Sequence, residues 1–288
     1  MAVRAGELRV FSAQAGEVQG RSRGRRPSWP GRRLAVAGAG ASPSPWDDTT
    51  VLDAIEAVNW ARIPGPADWY RPDLAASGLR ALATATGLVQ AARAGSVLAG
   101  GGLVHDHSGG VFPAVVTAAP ILLAIARHGH SEAGTTALGL LDDALAFATH
   151  DRHTRVATPY AEAVAICCAL ADRLRGAADL LAASGREGKW LLADAAEHWR
   201  FDVQESEADG DDAVVLGTLA GRFPAEGPQT VELHLAGRVT PLEQVALHYR
   251  PEDGSPDACL HVTGVRPSEL APPAVLLPAR CAPGAVAL

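Results

Sequence analysis

The feature that most constrains this chain is a change of hydrophobic period at Trp199. Upstream, apolar residues recur three and four apart, as in Ala75, Leu79 and Leu82, and again in Leu138, Leu141, Leu145 and Ala148. That spacing lines one side of a helix. Downstream, Phe201 and Val203 alternate with Asp202 and Gln204, and Val231, Leu233 and Leu235 alternate with Glu232 and His234. Val245, Leu247 and Tyr249 alternate with Ala246 and His248, and Leu260 and Val262 with Cys259 and His261. A period of two lines one face of a strand and would wrap around a helix. With the apolar run Ala213 to Leu219, the pattern predicts about five strands separated by Gly, Pro and Asp clusters. The fold class expected is α+β. The predicted β-unit is small and antiparallel, one face on the helices, with Glu232, His234, His248 and His261 turned to the other.

Within the helical part the punctuation is strong. Thr50-x-x-Asp53 reads as a capping box ahead of Val51, Ile55 and Val58, and Pro64-Gly65-Pro66 ends that helix. Further helices are expected after Pro72, from about Ala85, from Pro113 to about Arg127, and from Ser131. Gly100-Gly101-Gly102 stops the third, because glycine carries a high entropic cost inside a helix. Thr158-Pro159 reads as the start of another helix, with Tyr160, Val164, Cys167, Cys168, Ala171 and Leu174 near one stripe.

Between the third and fourth helices runs His107-Ser108-Gly109-Gly110-Val111-Phe112-Pro113, a glycine-rich bend entering an Ala/Pro-rich helix that ends in Leu122-Leu123. This pattern, with the stretch Ile55 to Trp60, resembles a bacterial HEAT-like helical-repeat family over roughly residues 46–148. The resemblance implies antiparallel helix pairs stacked as a repeat body, with Gly109, Gly110 and Pro113 as a structural turn. It also implies a protein-binding loop edge at His105, Asp106, His107 and Phe112. The organisation expected is an Arg/Gly/Pro-rich arm (1–45), a HEAT-like helical domain (46–198), a β-unit (199–266) and an extended Pro/Ala-rich tail along the surface (267–288).

Composition narrows the function classes. The arm holds eight arginines against Glu7 and Glu17, so the remainder is more acidic than the overall charge of −7. An acidic body disfavours nucleic acid as its partner, leaving only the arm for such contacts, and the arm itself reads as disordered. All basic residues but Lys189 are arginine, a bias expected of a GC-rich bacterial genome. No apolar run is long enough to span a membrane. Cys167, Cys168, Cys259 and Cys281 show no C-x-x-C spacing, so a reducing cytoplasm is expected and no disulfide framework or zinc ribbon. The adjacent Cys167 and Cys168 read as small core residues.

Four clusters could carry chemistry. His105-Asp106-His107 has the residue types of a metal-dependent phosphohydrolase, with His128, His130, Asp142, Asp143, His150, Asp151 and His153 as further candidate ligands. Its spacing matches no metal motif, and the turn already accounts for His107. Gly129-His130-Ser131-Glu132-Ala133 imitates a nucleophile elbow but lacks the last glycine and follows a helix. The run Gly100–Gly102 lacks the lysine of a P-loop. His234, His248 and His261 could meet on one sheet face if their strands are neighbours. The expectation for the whole chain is a non-enzymatic protein-binding or regulatory module without a cofactor, partnered by another protein. The competing reading is a metal-dependent hydrolase using His105, Asp106 and His107.

Overall fold

A computed structural model describes residues 51–148, 154–251 and 255–281, which lie within one compact unit. The arginine-rich arm, Thr50, His150, Asp151, His153 and the last residues of the tail fall outside the described residues. Among those described, no helix is long and apolar enough to cross a membrane.

Five helices come first: α1 (Val51–Ala57), α2 (Pro72–Ala83), α3 (Leu88–Ala99), α4 (Ala114–His128) and α5 (Ser131–Ala148). The hairpin β1 (Val104–His105) and β2 (Gly110–Val111) interrupts them and carries the glycine-rich bend. Gly109 there has φ +65, whereas Gly110 does not enter the left-handed region. The need for glycine backbone geometry therefore falls on Gly109. Pro113 immediately precedes α4, and Pro120 lies inside it. A second hairpin, β3 (Arg155–Val156) with β4 (Val164–Ala165), leads into α6 (Ile166–Arg175), α7 (Ala178–Ala183) and α8 (Gly185–Ala196). The helix expected from Pro159 thus begins later, at Ile166. Thr158 instead closes a tight loop, its hydroxyl accepting from the Ala161 amide at 3.1 Å and donating to the Ala161 carbonyl at 3.0 Å.

The helices do not stack as repeats. Stacked repeats touch only their sequence neighbours, but α4 packs against α1, α2, α5 and α6 together. Ala114, Val115, Ala118, Ala119, Ile121, Leu122 and Ile125 are all buried along it. A helix apolar nearly all round belongs in the middle of a bundle, so the small residues that suggested close pairing serve a central helix instead.

The β-part is likewise not a small sheet appended to a repeat body. β5 (Arg200–Asp209), β6 (Asp212–Ala220), β7 (Gln229–Leu235), β8 (Arg238–Tyr249), β9 (Asp257–Val262) and β10 (Val275–Pro278) close into an antiparallel barrel in the order β10-β5-β6-β9-β8-β7. The sixth strand comes from the segment expected to lie extended along the surface. Val275, Leu276, Leu277 and Pro278 are all buried. Leu276 joins Phe201, Val203, Val215, Val231, Leu233, Val245, Leu260 and Val262 in the barrel core, while Val275 and Leu277 join the helical core. A strand covered on both faces reads as a continuous apolar run with no alternation. That is why period-two reading passed over it.

Covering the outside of β10 also buries the outside of β7. Val275 pairs with His234 and Leu277 with Glu232 in the antiparallel register. Glu232 and His234 are consequently 6% and 4% exposed, and the expected polar face of β7 is an interior seam between barrel and helices. Tyr249 departs in the opposite sense, since a register shift between Leu247 and Tyr249 leaves it 60% exposed.

Candidate metal centre

At the meeting of α6, the α8–β5 connection and the end of β10, four donor side chains converge. Cys167 and Cys168 occupy the first turn of α6, delivered by the β3–β4 hairpin. His198 lies between α8 and β5, and Cys281 follows β10. One donor atom from each of the four falls within 4.8 Å of every other, and all four residues are buried. Among the described residues no other group of three or more His, Cys, Asp or Glu side chains meets this condition. The His198 Nδ1 is 3.3 Å from the Cys281 Sγ.

The electrostatics favour a negative sulfur at Cys281 and oppose one at Cys167 and Cys168. Hydrogen bonds from Cys167 and Cys168, and then from His198, hold the Cys281 thiol far below the usual thiol range in spite of burial. Cys168 is pushed up by its hydrogen bonds with Cys167 and Cys281 and by burial. Cys167 gains a lowering hydrogen bond from Cys168, but its bond to Cys281 and burial outweigh it and raise it. The N-terminal end of α6 also presents its partial positive charge to Cys167 and Cys168. The guanidinium of Arg175 fixes the imidazole-bearing loop, donating from Nη1 to the carbonyls of His198 at 2.6 Å and Ala195 at 2.7 Å.

This donor set suits one thiophilic ion. With metal–sulfur bonds of about 2.3 Å and metal–nitrogen bonds of about 2.0 Å, tetrahedral zinc spaces its donors by about 3.5–3.8 Å. Donors already within 4.8 Å of one another need only a small contraction. Three thiolates around a divalent cation leave one net negative charge, and Arg155 and Arg175 lie close enough to interact electrostatically with Cys168. Ligation requires thiolates, and the upward shifts at Cys167 and Cys168 mean that binding must displace protons there. Apparent zinc affinity should accordingly rise between about pH 7 and about pH 8. Competition with a chromophoric chelator measures this, and an affinity flat across the interval would contradict thiolate ligation.

No family model matches this sequence, and no curated protein or solved structure matches it either. The centre therefore stands on its own geometry.

The residues singled out from sequence lie elsewhere. His105 stacks on Trp69 with ring centroids 5.3 Å apart, and its Nδ1 is 2.9 Å from the Ser108 hydroxyl. Asp106 accepts from the His107 amide at 2.8 Å, and the His107 side chain is exposed. Phe112 is buried against Tyr70 and belongs to the helical core. Asp142 and Asp143 sit on α5, with carboxyls raised by partial burial and then by neighbouring acidic groups. His130 has its Nδ1 facing the Glu132 amide at 3.3 Å, at the start of α5. The strand histidines are not gathered: His234 pairs with Glu232, and His261 faces Asp212 at 3.3 Å.

Sequence reasoning missed all four metal-centre residues as a set. The ligands are separated by 30 residues between Cys168 and His198 and 83 between His198 and Cys281, so no short spacing betrays them. The one local signal is two adjacent cysteines entering a helix whose first turn can stabilise thiolates.

Proposed function

We propose that this protein binds one zinc-class ion through Cys167, Cys168, His198 and Cys281, as a closed structural centre that fastens the helical bundle to the barrel. The observation that supports this most is the convergence of four buried soft donors from three distant chain segments within 4.8 Å. Four protein ligands leave a tetrahedral ion no open position for substrate or water, which distinguishes structural from catalytic zinc. The ion itself would accordingly carry no catalysis. The His105-Asp106-His107 cluster lends the hydrolase alternative no comparable support, because among the described residues its side chains do not converge on a common point with further ligands.

The test is the metal content of the full chain, purified under reductant without an oligohistidine tag. About one zinc per chain is expected, exchangeable for cobalt with the intense sulfur-to-metal charge-transfer absorption of thiolate ligands. Less than about one ion in ten chains after reconstitution with excess zinc would overturn the proposal. So would metal binding that survives both Cys167→Ser and Cys281→Ser.

A further inference from the structure

A second feature lies on the same seam but has no part in the metal centre. The loop 158–163 and the tip of the β7–β8 hairpin line a half-open cavity of about 370 Å³, with Pro273 also in its lining. Small-molecule sites start at about 300 Å³, so the space can hold a compact ligand. The hairpin turns through Ala236 and Gly237, at φ 50 and 73, which brings its tip over the loop. Gly237 leaves room for Glu162: a Cβ at that position would stand 3.1 Å from the Glu162 Oε2.

The lining is chemically specific. His234 lines the cavity with its side chain only 3% exposed. Its Nε2 lies 3.2 Å from Glu232, whose carboxylate also takes two bonds of 2.8 Å from Arg155. A carboxylate only accepts, so the Nε2 of the imidazole carries a proton. Tyr160 also lines the cavity, and the Arg200 guanidinium lies over its ring at 4.4 Å. Glu162 and Arg238 both line the cavity and are exposed, and among the described residues neither side chain has an ion-pair or hydrogen-bond partner.

We propose that this cavity binds a free α-amino acid, its ammonium group toward Glu162 and its carboxylate toward Arg238. One unpaired charge of each sign around a small cavity fits a compact zwitterion. A simple anion would meet Glu162 as a like charge, and a simple cation would meet Arg238. The bidentate Arg155–Glu232 pair fixes the imidazole without entering the cavity.

The experiment is calorimetric titration of the zinc-reconstituted full chain with the twenty common L-amino acids. At least one is expected to bind saturably at a single site with a Kd below about 1 mM. Its decarboxylated amine and its deaminated acid should each bind at least about tenfold more weakly. Glu162→Gln and Arg238→Gln should each weaken binding about tenfold while leaving the melting temperature unchanged. Absence of binding by every amino acid up to about 10 mM would overturn the proposal. Equal binding of the amine or the acid, or indifference to both substitutions, would overturn it too. Zinc content measured on the same preparations keeps the two assignments separate. Loss of amino-acid binding with zinc retained counts only against the cavity, and absence of zinc counts only against the metal centre.

Discussion

Cys281→Ser is expected to abolish binding of the proposed zinc ion and to weaken the whole fold. Cys281 is the last ligand in the sequence and the point where strand β10 is tied back to α6. That strand is short and makes only two register pairs with β5, so the barrel is closed by few backbone bonds at this seam. With zinc at about a thousandfold excess over its dissociation constant, the ion contributes about 4 kcal/mol to unfolding free energy. The variant should forfeit that amount in chemical denaturation under reductant. The control is a strong chelator, in which the wild-type chain should fall to within about 1 kcal/mol of the variant. A gap that is the same with and without chelator would show that Cys281 matters as a packed side chain and not as a ligand. Two hydrophobic cores remain without metal, so the chelated chain should still unfold cooperatively.

Glu232→Ala should be the other severe change, costing about 3–5 kcal/mol. The carboxylate is buried and takes two bonds from Arg155 and one from His234, joining the β3–β4 hairpin to the barrel. Removing it leaves a guanidinium in the seam with no counter-charge, and that uncompensated ion makes the loss large. Replacing the pair together, as Arg155→Met with Glu232→Leu, should recover most of the loss. If the single and double replacements are equally damaging, the seam depends on shape and not on charge. The acid limb follows the same group. Burial raises the Glu232 carboxyl, but the bonds from His234 and Arg155 outweigh it and the net shift is downward. A depressed folded-state value means that the contribution is present above the unfolded value of about 4.5 and is lost as pH falls through the folded one. Wild-type stability should therefore drop below about pH 4.5 more steeply than that of the double replacement.

Much of the local structure could be read directly. The period change at Trp199 marks the start of β5 at Arg200, the alternating segments lie in β5, β7, β8 and β9, and the apolar run Ala213 to Leu219 lies in β6. The long small-residue helix beginning beside Pro113 is α4, and the glycine run after Ala99 ends α3. These features depend on each residue's own backbone preference and on its nearest neighbours along the chain. The misplaced start of α6 shows the limit of such cues. Thr158-Pro159 has the composition of a helix entry, but the Thr158 hydroxyl closes a loop with Ala161 instead.

What sequence by itself determined is the inventory: which segments are helical, where strands begin, and which faces carry apolar side chains. What only the tertiary structure decided is which of those faces meet. A helix with apolar residues on several sides serves a solenoid or the centre of a bundle, and contacts of α4 with α1, α2, α5 and α6 select the bundle. Alternation places Glu232 and His234 on one face of β7, but their burial follows from Val275 and Leu277 lying beside them under the helices. The metal centre is the extreme case. Its four donors are brought together by barrel closure and by the packing of α6, and long-range contacts of that kind leave no periodic trace in the chain.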